Sequence, residues 1–103
     1  MISEIHPNLQ SILPVIPENP GCYMYFDETD TLIYVGKAKN LKKRVSSYFH
    51  KDIKDPKTQI MIRKIRNIRY MVVSSEAEAF LLENNLIKEH KPRYNIMLKD
   101  RSE

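Results

Sequence analysis

Hydrophobic and polar positions change period several times along the chain, and each change marks an element. The runs CYMYF and TLIYVG (22–26 and 31–36) are rich in β-branched and aromatic residues, and the turn-forming DETD separates them. They predict an antiparallel hairpin. The spacing then becomes helical: Leu41, Val45, Tyr48 and Phe49 share one face of KNLKKRVSSYF, with Asn40 as its N-cap. HKDIKDPK reads as a polar loop, and Pro56 suits the first turn of a second helix running to about Asn67. Its inner face is Met61, Ile62 and Ile65, with Arg63, Lys64 and Arg66 outward. IRYMVV predicts a third strand. Ser75 and Glu78 fit the S-x-x-E capping box of a long helix that Pro92 ends, and RYNIMLKD reads as a short tail. Ahead of the hairpin stand a short helix around Asn8 to Leu13 and a lead-in with prolines at 14, 17 and 20. The order β-β-α-α-β-α predicts an α+β domain, a small sheet covered by helices.

One position breaks the pattern. On a helical wheel Ala79, Phe80, Leu82, Leu86 and Ile87 fill one arc of the long helix, and Glu83 projects from near its middle. A carboxylate on a packed face must be protonated, paired or holding a cation.

Bulk numbers narrow the class. The chain has 103 residues, 42% hydrophobic and 29% charged, which suits one small globular domain. No apolar run is long enough for a membrane span, and the N-terminus lacks a secretory pattern. Cys22 is the only cysteine, so an internal disulfide and a cysteine-cluster zinc site are excluded, and a cytoplasmic location is the simplest expectation. His6, His50 and His90 lack metal-ligand spacing. The net charge is only +4, but Lys37, Lys39, Lys42, Lys43 and Arg44 fall within eight residues that contain no acid. A second group follows at Arg63, Lys64, Arg66 and Arg69. Such clusters fit either a polyanion partner or solvated helix faces.

The two glycines of the chain bracket the hairpin, in GCY (21–23) and YVG (34–36). Either backbone freedom or a close approach would call for glycine there. If DETD is a four-residue loop, Phe26 pairs with Thr31, and Tyr23 and Tyr34 become direct cross-strand partners on one face. Such a pair serves a core as well as a site. Lys37, Arg44 and Tyr48 follow, the last two one helical turn apart, so three phenols and two cations could converge near the hairpin end. Cationic neighbours are expected to lower a phenol's pKa, and the planar Arg44 guanidinium suits a phosphate.

These residues carry a resemblance. GCY and YVG followed by KAKNLKKRVSSY resemble the signature of the GIY-YIG nucleases. PENPGCYMYF and EAFLLENNLIKEHKPRYNIMLKD are similar to the N-terminal domain of the incision subunit of the bacterial excinuclease ABC, which acts in nucleotide excision repair. The resemblance covers about residues 12 to 100, with Cys22 in place of the isoleucine of the family name.

It implies a three-stranded antiparallel sheet flanked by helices, with residues 1–20 as lead-in and 21–103 as the nuclease domain of a longer protein. It also implies hydrolysis of a DNA phosphodiester on the 3′ side of a lesion. Tyr23 and Tyr34 would be the paired site tyrosines, with Tyr34 the general base. Lys37 would assist it, Arg44 would steady the phosphate, Tyr48 would complete the hydrogen-bonding shell and Asn95 would brace the site. Glu83 would be the sole protein ligand of one Mg²⁺ or Mn²⁺ ion. Lys39, Lys42, Lys43, Arg63 and Arg66 would meet the DNA backbone. The implied partners are damaged double-stranded DNA and the helicase-like subunit of the same excinuclease, with no membrane and a monomeric domain. A homing or stand-alone GIY-YIG nuclease, or a catalytically silent nucleic-acid-binding module, would carry the same pattern.

Overall fold

The expected hairpin forms, and a third strand joins it on the other side. The computed structural model describes residues 6–50 and 55–97. Strands β1 (Gly21–Phe26), β2 (Leu32–Ala38) and β3 (Asn67–Val72) make one antiparallel sheet in the order β2-β1-β3. Around it lie α1 (Pro7–Ile12) with a 3₁₀ turn at Leu13–Val15, α2 (Leu41–Ser47), α3 (Pro56–Lys64), α4 (Glu76–His90) and α5 (Arg93–Met97). The second helix is shorter than expected, because the chain turns extended at Ile65 and Asn67 already belongs to β3. The tail contains a helix rather than a simple extension, and it buries Tyr94. The middle of the polar loop and the chain beyond Met97 lie outside the described residues.

The hairpin register differs from the expected one. Asp27 gathers the turn: its Oδ1 accepts from the N–H groups of Thr29 and Thr31, at 2.9 and 3.0 Å. The Asp27 N–H donates to the Thr31 carbonyl, and Asp30 adopts the left-handed conformation at φ 65°. This is a three-residue loop with a left-handed last position. It pairs Phe26 with Leu32, and an irregularity between Tyr25 and Phe26 then sets Tyr25 opposite Tyr34 and Tyr23 opposite Gly36. Tyr23 and Tyr34 are therefore not direct partners. Two one-residue shifts have accumulated, and together they restore the alternation, so both phenols remain on one face.

The principal core lies on that face. Tyr23 and Tyr25 pack there with Leu41, Val45, Phe49, Met61, Ile65, Ile68 and three lead-in residues, Leu9, Leu13 and Ile16. Each large apolar side chain so buried contributes roughly 1.5–3 kcal/mol. The lead-in has a second use. A helix start leaves N–H groups without partners, and an extended proline-rich segment leaves carbonyls free. Here the N–H groups of Leu41 and Lys42 donate to the carbonyls of Asn19 and Pro17, at 2.9 and 3.1 Å, while Asn40 Oδ1 accepts from the N–H of Lys43. The start of α2 is thereby pinned.

Helix α4 crosses the opposite face. Ser75 caps it as expected, but Glu78 bonds the N–H and hydroxyl of Ser74 rather than closing back on Ser75. Lys91, left-handed at φ 45°, ends it by donating to the Ile87 carbonyl, and the buried Pro92 follows. The expected apolar arc is only partly used. Ala79 is buried and Leu82, Leu86 and Ile87 are half-buried, but Phe80 is 51% exposed. A short three-stranded sheet offers the helix too narrow a floor to cover the whole arc.

Candidate active site

The site begins with a glycine that makes room. Neither glycine has positive φ, so backbone freedom is not what position 36 requires. Gly36 lies opposite Tyr23, and a Cβ there would collide with the phenol ring and hydroxyl of Tyr23. The close approach lets Tyr23 fold across β2 toward α2. We predict that Gly36→Ala expels this ring and costs about 1–3 kcal/mol, the usual range for overpacking. A thermal melt showing no loss would mean the ring can move aside freely.

Arg44 and Tyr48, one turn apart on the pinned α2, meet Tyr23 there. The hydroxyls of Tyr23 and Tyr48 share a hydrogen bond of 2.8 Å. Arg44 donates from Nε to the Tyr23 hydroxyl at 3.3 Å and from Nη2 to the Tyr48 hydroxyl at 3.4 Å. Its guanidinium carbon also lies 5.2 Å from the Tyr48 ring centre. Tyr34 completes the group, its ring 6.3 Å from those of both Tyr23 and Tyr48. All three expected phenols and the guanidinium do converge.

Their acidity runs opposite to expectation. Burial pushes the pKa values of Tyr23, Tyr34 and Tyr48 well above the usual tyrosine value. Neighbouring phenols add to the rise, and Arg44 offsets only part of it. Tyr25, behind them, shifts the same way. Burial wins because a phenolate loses its hydration while the single cation is shared among several rings. Stability depends on pH as a result. Below the ordinary tyrosine pKa near 10 these phenols are protonated in both the folded and the unfolded chain. Above it the unfolded phenols ionise while the buried ones stay neutral, so stability falls as pH rises toward the folded values. Tyr23, Tyr25 and Tyr48, each under 10% exposed, together cost about 4 kcal/mol per pH unit there. The protein should unfold cooperatively above about pH 10, with these phenols ionising only in that transition. Phenolate absorbance rising well before the loss of helical circular dichroism would contradict this.

Lys37 and Glu83 stand on the other side. Lys37 pairs with Cys22, on the face that α4 covers, so the ammonium does not join the phenol network. Burial raises the Cys22 thiol to about 11, with the Glu83 charge adding to it and Lys37 opposing. Its Sγ is engaged with the Ala79 carbonyl at 3.1 Å, which leaves it a packed strand residue. Tyr34 senses both halves of the site, because Arg44 lowers its pKa and Glu83 raises it. Asn95 holds the strand between these halves. Its side-chain amide accepts from the Val35 N–H and donates to the Val35 carbonyl, both at 2.8 Å, as a partner strand would. Helix α5, absent from the sequence expectation, is what delivers it. His90 is exposed near the end of α4.

The basic residues are dispersed. Lys39 forms an exposed ion pair with Glu76 at 3.8 Å, an arrangement that contributes little. Lys42 Nζ donates to the Pro14 carbonyl at 3.1 Å, and Lys43 is exposed. Arg63 and Arg66 lie at the hairpin-turn end, where the Arg66 N–H donates to the Phe26 carbonyl and its guanidinium to the carbonyls of Arg63 and Ile65. Lys64 faces Asp27 there. Five residues of β1 separate that end from Gly21, about 17 Å, so the second basic group stands apart from the first.

Two contributors were not singled out in the sequence. The lead-in carbonyls had no side-chain signal. Tyr25 had one: it lies two residues after Tyr23 on a strand, hence on the same face.

Comparison with known proteins agrees with this fold. The UvrC-like GIY-YIG domain family matches residues 19–96. UvrABC system protein C of Porphyromonas gingivalis is 64% identical over 92 residues, 89% of this chain and 15% of that protein. That of Bacteroides fragilis is 58% identical over the same shares. The chain thus spans about 15% of the length of these relatives. The crystal structure of the GIY-YIG N-terminal endonuclease domain of UvrC from Thermotoga maritima, bound to magnesium as its catalytic divalent cation, superimposes with a TM-score of 0.78 at 34% identity. The match covers 87% of this chain and 98% of that one. With matched residues running from the lead-in through Asn95, the chain belongs to the UvrC-like GIY-YIG domain family.

Proposed function

We propose that this domain is a metal-dependent DNA endonuclease making the 3′-side incision of nucleotide excision repair, within a longer cytoplasmic protein that works with UvrB, the helicase-like subunit of the excinuclease. The observation that carries the reading is the Arg44 guanidinium held against the hydroxyls of Tyr23 and Tyr48 beside Tyr34. An anchored planar cation amid neutral phenols is a receptor for a phosphate diester. No helix among the described residues is long and apolar enough to cross a membrane.

The donor set suits one hard cation. Among the described residues there is no group of three or more metal-ligating side chains, but Glu83 is half-buried and its charge raises the pKa of Tyr34 and of Cys22. A divalent ion that keeps most of its waters answers that charge, and Mg²⁺ fits. Held by Glu83, it would supply Lewis-acid stabilisation to the phosphate oxygens. Tyr34, the most accessible phenol of the cluster, takes the proton of the attacking water in its phenolate form, the fraction of which grows as pH rises. Arg44 offsets charge accumulating on the phosphoryl group. Tyr23 and Tyr48 hold Arg44, Lys37 assists from the Glu83 side, and Asn95 fixes β2. Lys39, Lys42 and Lys43 meet the backbone of the duplex, with Arg63 and Arg66 reaching it farther off.

The test is incision of a lesion-bearing duplex by the full-length protein with UvrA, UvrB and Mg²⁺. We expect a 3′ cut whose rate climbs from pH 7 to 9, because burial keeps Tyr34 neutral at pH 7. Tyr34→Phe should abolish that cut. DNA binding with no Mg²⁺-dependent incision would identify a silent binding module instead.

A further inference from the structure

We propose that Tyr25 is a positioning residue whose ring, rather than its hydroxyl, sets the spacing of the site phenols. The inference rests on the proposed incision reaction. Tyr25 is fully buried and lies directly opposite Tyr34. Its ring stacks on Tyr34 with centres 5.9 Å apart and planes 27° apart. It also lies 5.3 Å from Tyr23, and meets Tyr48 edge-on at 5.3 Å and 87°. One ring therefore touches all three phenols from behind, in geometries that aromatic pairs favour.

Its hydroxyl behaves differently from the others. Those of Tyr23 and Tyr48 bond each other and Arg44, whereas the Tyr25 hydroxyl is buried with no hydrogen-bond partner among the described residues. A buried hydroxyl left without a partner destabilises the fold. What the position supplies is shape: a flat, rigid wall that stops Tyr34 from turning inward and keeps Tyr23 and Tyr48 within bonding distance. Tyr34 needs such support, because β2 is an edge strand and the irregularity beside Tyr25 loosens its pairing.

Three proteins decide the matter in the reconstituted incision reaction: wild type, Tyr25→Phe and Tyr25→Leu. Tyr25→Phe keeps the wall and removes the orphan hydroxyl, so it should rescue wild-type kcat and raise Tm. Tyr25→Leu fills part of the volume without the wall, and should lower kcat about 100-fold, the effect of misplacing a reacting group by an ångström. Its KM for DNA should change far less than kcat, since Lys39, Lys42 and Lys43, which meet the duplex backbone, lie outside the phenol cluster; a merely structural defect would reduce the active fraction, and active-site titration corrects for that. Near-UV circular dichroism should show loss of the tyrosine cluster signal in the Leu variant alone, a readout independent of cleavage. Wild-type kcat in Tyr25→Leu would overturn the proposal. So would a kcat loss in Tyr25→Phe, which decides the question even if the Leu variant does not fold. Failure of the wild type to incise would count against the nuclease reading, while the circular dichroism comparison would still report on the wall.

Discussion

Arg44→Ala should leave a folded protein that no longer incises DNA. The stability change should be about 1 kcal/mol or less, because the two hydrogen bonds lost are long and the Tyr23–Tyr48 bond of 2.8 Å still engages both hydroxyls. The catalytic loss should reach about 10³-fold or more, the scale on which a guanidinium acts on a phosphoryl group. Arg44→Lys should rescue little. An ammonium offers a point charge, whereas the site holds a plane: one nitrogen on each of two phenols and the carbon 5.2 Å from the Tyr48 ring centre. Incision assays beside thermal melts give both quantities. Near-normal cutting by the Lys variant would show that charge alone suffices.

Glu83→Gln separates two readings by sign. If Glu83 holds the cation, the amide should lose metal affinity and incision, because a neutral oxygen is a weak ligand for Mg²⁺. Stability in chelator should then stay level or rise, since the carboxylate charge raises the pKa of its neighbours Cys22 and Tyr34 and costs desolvation on a half-buried face. If Glu83 anchors an internal ion pair, the same change should destabilise the protein by roughly 3 kcal/mol or more, because the partner is left buried and uncompensated. Melts of both forms in chelator, with a metal titration alongside, distinguish them. A large stability loss with metal binding retained would end the metal-ligand reading.

Much of this molecule is legible from the chain alone. Asn40 and Ser75 cap their helices because capping depends on one side chain and the next few N–H groups. Tyr23 and Tyr25 share a face because strand alternation is local, whereas Tyr34 joins them only because two register shifts cancel. The same-turn placement of Arg44 and Tyr48 follows from helical spacing. The partners of these residues do not follow in that way. Asp27 tightened the hairpin turn and the irregularity at Tyr25 moved the register again, so Gly36, and not Tyr34, faces Tyr23. The acidity of the phenols also changed sign, because it sums desolvation by residues from many elements against one shared cation. Tertiary packing likewise sent Lys37 to the Glu83 side, placed Arg63 and Arg66 at the far end of the sheet, and brought Asn95 to Val35 across 60 residues of sequence. What the chain fixes within a turn or two of backbone is which way Tyr23, Tyr34, Arg44 and Tyr48 face on their own elements. Which of them meet, and which protonation state they hold, depends on distances between elements far apart in the chain, and packing sets those distances.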